Sequence, residues 1–176
     1  MGRGVRDLVR AMIELREYQQ KLIDDIAGAS ASGHRRILAA LPTGAGKTIA
    51  FSRIIKHSFE NKKNILVLVH RRELLFQTQD KLEKYGVPHT SMLRGELYDQ
   101  SHSVVVASIQ TMHSWVVRRK KESIPPADLV IVDECAHLQS SKTWQDLVAL
   151  YPQAIIVGFT ATPISKSGKG LGGYFD

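Results

Sequence analysis

Apolar positions along the chain follow two alternating rhythms. Short apolar runs recur at Arg36–Leu41, Ile65–Val69, Val104–Ala107, Leu129–Val132 and Ala154–Val157. Between them lie stretches with helical spacing. Leu15, Leu22, Ile23 and Ile26 share one face of a helix expected over Leu15–Ala27, and Ile49, Ile54, Ile55 and Phe59 do the same over Thr48–Phe59. Arg71–Tyr85 is again periodic and stops at Gly86 with Pro88 beyond, a helix-end signal. Gln110–Lys120 and Thr143–Leu150 are expected as further helices, and Gly28–Gly33 as a small-residue linker. A run as uniformly apolar as Ile65–Val69 suits a strand buried on both faces. The alternation therefore predicts an α/β fold, a parallel sheet flanked by helices on both faces. Ligands of such sheets bind beyond the carboxyl ends of the strands, which makes the loops after each apolar run the places to look.

Composition narrows this picture without deciding it. The 176 residues suit one domain with a sizeable core. No apolar stretch reaches the length of a membrane span, and Met1–Arg10 lacks the apolar core of a secretion signal. A single cysteine, Cys135, excludes an internal disulfide and argues against a cysteine-based metal site. A cytoplasmic location is the resulting expectation. Lys and Arg outnumber Asp and Glu by 24 to 17, a formal charge of +7. That excess suits a polyanionic partner such as nucleic acid, or simply keeps a small protein soluble.

The loop after the first strand carries the chemistry. Leu41-Pro42-Thr43-Gly44-Ala45-Gly46-Lys47-Thr48 lies between an expected strand and an expected helix, the context required of a phosphate-binding loop. Gly44 and Gly46 let the backbone curl so that successive N–H groups, including those of Thr43 and Ala45, can cradle phosphate oxygens. The helix that follows adds its positive end. Lys47 can reach the β- and γ-phosphates of ATP, and the Thr48 hydroxyl can ligate Mg²⁺. The alternative is a Gly-rich turn with a surface lysine. The strict pattern has glycine at position 41, where this chain has leucine.

Hydrolysis further needs a carboxylate for the metal and a way to activate water. Asp133-Glu134 ends the apolar run Leu129–Val132. Asp133, at the strand tip, is the candidate Mg²⁺ holder, and Glu134 the candidate general base. Taken alone, the pair could equally be a solvated acidic turn.

Gly44–Thr48, Asp133-Glu134 and Thr160-Ala161-Thr162 resemble motifs I, II and III of superfamily 2 DEAD/DEAH-box-like helicases, in order and at suitable spacing. The resemblance implies a RecA-like P-loop NTPase lobe over residues 15–164, preceded by an extension at 1–14 and followed by a Gly/Ser/Lys-rich tail at 165–176. Leu15-Arg16-Glu17-Tyr18-Gln19 resembles the adenine-reading segment of XPB-like, RadD-like and restriction-type DNA motors, which implies that Gln19 bonds adenine and Arg16 supports the pocket. In motif II the family commonly has Asp-Glu-x-His or Asp-Glu-x-Asp; here the fourth position is Ala136 and the histidine is displaced to His137. Alanine makes no side-chain hydrogen bond, which leaves His137 as the candidate coupling residue with Thr160 and Thr162.

Val69–Thr78 is similar to motif Ia, which implies that His70, Arg71 and Gln77 contact a nucleic-acid backbone, with Arg71 and Arg72 as ordinary surface charges on the other reading. Ala107–Thr111 is similar to another backbone-contacting motif through Ser108, Gln110 and Thr111, residue types that also cap helices routinely. The family uses two such lobes, and about a dozen residues after motif III leave no room here for the second. The expectation is the ATP-binding lobe of an ATP-dependent helicase or translocase acting on nucleic acid, DNA favoured over RNA, with ATP and Mg²⁺ as cofactors and weak activity alone. Two other readings stay open: an ATP-gated nucleic-acid-binding or assembly module, and a P-loop ATPase of another class.

Overall fold

A computed structural model describes residues 15–70, 72–92, 99–118, 124–135, 142–162 and 175. Its order is α1 (Glu17–Ala31), β1 (Arg36–Ala40), α2 (Lys47–Glu60), β2 (Ile65–Val69), α3 (Arg72–Lys84), β3 (Thr90–Met92), β4 (Val104–Ser108), α4 (Ile109–Arg118), β5 (Leu129–Val132), α5 (Lys142–Val148) and β6 (Ile155–Thr160). The strands form one sheet in the order β1-β6-β5-β2-β4-β3, parallel at every pairing.

Successive strand side chains point to opposite faces, so an all-apolar strand feeds two cores. Ile65, Val67 and Val69 of β2, Ile131 of β5 and Phe159 of β6 pack with Ile26 of α1, Phe51 and Ile55 of α2, and Leu75 and Leu82 of α3. Leu66 and Leu68, Val130 and Val132, and Ile156 pack on the other face with Met112 of α4 and Trp144, Leu147 and Val148 of α5. This is the expected three-layer α/β arrangement. No helix among the described residues is long and apolar enough to cross a membrane.

Three details differ from the pattern-based expectation. The first helix runs through Gly28 to Ala31 rather than giving way to a linker, because Ala29 packs against the core and Ser32 closes the helix with an N–H bond to the Gly28 carbonyl. The last strand starts at Ile155 and extends to Thr160, three residues beyond Val157, since its ladder with β1 continues to the pair Ala40–Thr160. The short edge strand β3 has no apolar run to announce it. In the tail expected as loop, the one described residue, Phe175, lies outside helix and strand and is buried in the second core.

Register places the candidate motifs together. Ala40 pairs with Thr160, Val132 with Gly158, Leu68 with Val132, and Val69 with Ser108. Five strands thus end at nearly the same level, and the residues following them form one edge.

Candidate nucleotide-binding site

The loop from Leu41 to Gly46 leaves β1 and enters α2 through Gly46, whose φ of 80° is left-handed; Gly44 has the same φ. Only glycine adopts this readily, and it turns N–H groups toward one side at the start of α2. Leu41, standing where the strict motif has glycine, is buried, and its N–H donates to the Thr160 carbonyl at 2.9 Å. Leucine here extends the β1–β6 ladder by one bond and fills the first core. Behind the loop, Phe51 of α2 meets Phe159 of β6 edge-to-face at 5.7 Å. The helix carrying Lys47 therefore packs directly on the strand carrying Thr160.

Lys47 and Glu134, 87 residues apart in sequence, form an ion pair, Nζ to Oε1 at 2.7 Å. The lysine side chain is 11% exposed and the glutamate 32%, so the pair sits at the mouth of the site. Glu134 has a φ of 55°, left-handed for a residue with a side chain. Such a conformation costs about 1–3 kcal/mol and persists where its surroundings over-determine it. Two hydrogen bonds from backbone N–H groups contribute: the Glu134 N–H donates to the Asp133 side chain at Oδ1 at 3.0 Å, and the Asp133 N–H to the Leu68 carbonyl at 2.9 Å.

Asp133 is buried, and burial raises its pKa above the ordinary carboxylate value; the neighbouring Glu134 charge pushes the same way, against Lys47, the Glu134 N–H and Lys81. A carboxylate so deprived of water is suited to a cation, as the candidate Mg²⁺ holder should be. Burial likewise pushes the Cys135 thiol up to about 12, so it stays protonated and unreactive. Thr48 is half-buried at the start of α2, and Thr43 is exposed at the tip of the loop.

Gln19 is buried against the same loop. Its Nε2 donates to the Ala45 carbonyl at 2.9 Å, and its Oε1 accepts the Arg16 N–H at 3.0 Å. The Tyr18 hydroxyl donates to the same carbonyl at 3.0 Å, and Arg16 Nη1 reaches that hydroxyl at 3.4 Å. Gln19 thus has protein partners at both ends of its amide, where the family resemblance implied adenine. Tyr18 was quoted in the resemblance but given no part; its only sequence signal is its place beside Gln19. A Cβ on Gly46 would collide with the Gln19 amide. Gly46→Ala is therefore expected to cost about 1–2 kcal/mol from the left-handed backbone alone, and more from displacing Gln19. Thermal denaturation of the two proteins measures the loss, and an unchanged midpoint would contradict it.

The other candidates separate. The Thr160 hydroxyl donates to the Thr162 carbonyl at 3.0 Å and accepts the Thr162 N–H at 3.1 Å, so motif III closes on itself beside the loop. Ser108 Oγ donates to Thr111 Oγ1 at 2.8 Å and accepts the Thr111 N–H at 3.1 Å, the geometry of a helix cap at the start of α4. Gln77 and Gln110 are exposed, and His70 is half-buried after β2. Arg71, Ala136 and His137 lie outside the described residues.

The family model described as "Type III restriction enzyme, res subunit" matches residues 12–165. The chain is 31% identical to the putative ATP-dependent helicase IRC3 of Saccharomyces cerevisiae, over 84% of this chain and 23% of that protein. It is 24% identical to the ATP-dependent RNA helicase DHX58 of Mus musculus, over 93% of this chain and 27% of that one. Its fold is similar to the SWI2/SNF2 ATPase core of Sulfolobus solfataricus solved with dsDNA, at a TM-score of 0.66 and 15% identity, over 85% of this chain and 32% of that one. The chain thus spans about a quarter of the length of the curated relatives it matches. With its parallel sheet, its P-loop and the Asp133-Glu134 turn aligned at one sheet edge, the chain belongs to the type III restriction enzyme res-subunit family, as the RecA-like ATP-binding lobe of a superfamily 2 helicase.

Proposed function

We propose that residues 15–164 bind ATP between the Gly44–Thr48 loop and the Asp133-Glu134 turn and hydrolyse it, coupling hydrolysis to movement on nucleic acid once a second RecA-like lobe faces the site. The observation that carries this reading is the Lys47–Glu134 ion pair. In this pair the candidate phosphate-binding cation and the candidate base neutralise each other. A γ-phosphate offers Lys47 a stronger anionic partner, since hydrogen bonds between ionised groups strengthen with charge. Glu134 is then released to accept a proton from the attacking water. Site occupancy and base activation are two consequences of one exchange.

The remaining roles follow from position. Backbone N–H groups of Thr43 to Thr48 cradle the phosphates. Thr48 and the desolvated Asp133 would hold Mg²⁺, which supplies charge neutralisation on the phosphate oxygens when bound. Gln19, braced on Ala45 with Arg16 and Tyr18, would present an edge to adenine, so that base recognition and loop shape share one side chain. His70, Ser108, Gln110 and Thr111 lie at or just beyond the ends of β2 and β4, and with Arg71 and Gln77 would contact a nucleic-acid backbone. The formal charge of +7 suits a nucleic acid of either kind, and the Leu15–Gln19 resemblance alone favours DNA. Thr160 and Thr162, with His137, would report the state of the site to the second lobe.

Lys47→Ala is expected to weaken Mg-ATP binding by about 10²-fold or more, because it removes the charge-assisted contact to two phosphates. Titration with a fluorescent ATP analogue measures this. Hydrolysis is then assayed with no nucleic acid, single-stranded DNA, double-stranded DNA and RNA on a polypeptide carrying both lobes. Equal rates in all four arms would remove the motor reading, and stimulation by RNA alone would reverse the substrate preference.

A further inference from the structure

Behind the Asp133-Glu134 turn lies a buried aromatic from the end of the chain. Phe175 is only 6% exposed, and its ring stacks on Trp144 of α5 at 6.5 Å with 29° between the planes. It also faces Gly158 of β6: a Cβ there would lie 2.5 Å from Phe175 Cζ and 2.8 Å from both Phe175 Cε1 and Cys135 Sγ. Contacts that short are not found for real Cβ atoms, so glycine at 158 is what admits the ring. Cys135 is buried and directly follows Glu134; Gly158 pairs with Val132, the residue before Asp133. Phe175 therefore stands directly behind the turn whose front carries the ion pair to Lys47.

We propose that Phe175 is a positioning residue for that turn. Its ring fills the space opened by Gly158 and backs Cys135, so that Glu134 keeps its left-handed backbone and its place opposite Lys47. This rests on the reading of Glu134 as the base and extends it to a residue far along the chain. The physical demand is specific. A non-glycine residue at φ 55° relaxes unless its neighbours prevent it. The bonds of Asp133 and Glu134 hold the turn from the sheet side, and Phe175 with Trp144 closes the core behind Cys135. Truncating the ring would leave a cavity next to the turn, into which it can relax.

Four variants of residues 1–176 test this: Phe175→Ala, Phe175→Leu, Gly158→Ala, and the double change Gly158→Ala with Phe175→Ala. Each is assayed below its melting midpoint for alkylation of the lone thiol, Cys135, for affinity toward a fluorescent ATP analogue, and for single-turnover hydrolysis at saturating ATP. Phe175→Ala is expected to speed alkylation by about tenfold or more, since the thiol loses its cover. Hydrolysis should slow by about tenfold or more, while affinity stays within about threefold, the split expected when positioning of the base fails and the phosphate cradle does not. Phe175→Leu should recover most of both. Gly158→Ala should be damaging beside the intact ring and milder beside alanine, because the two positions share one space. The proposal is overturned if Phe175→Ala leaves alkylation and hydrolysis unchanged, or if affinity and hydrolysis fall together in step with lost folded protein. A parent chain that never hydrolyses ATP even when joined to a second lobe would remove the catalytic reading itself; fast alkylation of Phe175→Ala would then still establish the wedge, which keeps the two failures apart.

Discussion

Glu134→Gln is expected to slow ATP hydrolysis by about 10²–10⁴-fold while leaving Mg-ATP affinity unchanged or slightly tighter. Glutamine keeps the size and branching of the side chain, so the turn and its packing on Cys135 need not shift. What it loses is the capacity to accept a proton from water. The sign of the binding effect follows from the ion pair. In the parent, phosphate must displace a carboxylate from Lys47 at 2.7 Å; in the variant it displaces a neutral amide oxygen, a weaker competitor. Lys47→Ala, by contrast, should lose binding, so the two variants separate phosphate holding from water activation. Single-turnover hydrolysis and an equilibrium titration on the same preparation provide the check. A Glu134→Gln protein that hydrolyses at the parent rate would transfer the base role elsewhere.

The fold was legible where one signal sufficed. Ile65–Val69 and Leu129–Val132 are apolar throughout, which only a strand buried on both faces tolerates, and both were read with their observed ends. The last strand was read short because Gly158 and Thr160 look like turn residues, and their strand character comes from the β1 ladder rather than from local preference. Gly28 was read as a linker because glycine weakens helices, yet tertiary packing of Ala29 carried α1 past it. The strand β3 and the burial of Phe175 depend wholly on partners distant in sequence, and no local pattern announces either.

The site divides in the same way. Gly44 to Thr48 and Asp133-Glu134 stand out in the sequence because their residue types at that spacing suit phosphate binding and proton transfer, and the fold brings Lys47 onto Glu134. Hidden from the sequence were the relations among them: Gln19 and Tyr18 meeting on one carbonyl, Leu41 bonded to Thr160, and the left-handed backbone of Glu134. Each depends on backbone geometry that residue names do not encode. The hydroxyls of Ser108 and Thr111 illustrate the converse. Their residue types suit phosphate contact, yet they bond to each other, so they serve as a helix cap here whatever else they touch.

Joining a second RecA-like lobe to this chain is expected to raise the ATP hydrolysis rate by about 10³–10⁵-fold over residues 1–176 alone, the range supplied by an arginine finger in related NTPases. The geometry on this side says where such help must enter. Lys47 faces Glu134 at the mouth of the site, with the glutamate side chain 32% exposed and Thr43 exposed at the tip of the loop. Charge developing on the transferred phosphoryl group would thus be balanced by Lys47 and backbone N–H groups from one side only. Thr160 lies in the adjoining strand, bonded through its carbonyl to Leu41 at the start of the loop, so a lobe pressing on motif III would act on the phosphate cradle through that backbone bond and through the Phe51–Phe159 contact. The measurement compares turnover of residues 1–176 with that of a polypeptide carrying both lobes, with and without DNA. Replacing the second lobe's arginines by alanine should return the joined protein to nearly the rate of the single lobe. Equal turnover before and after joining would mean that residues 1–176 already supply the catalytic groups, and the division of labour argued from the Lys47–Glu134 pair would then be wrong.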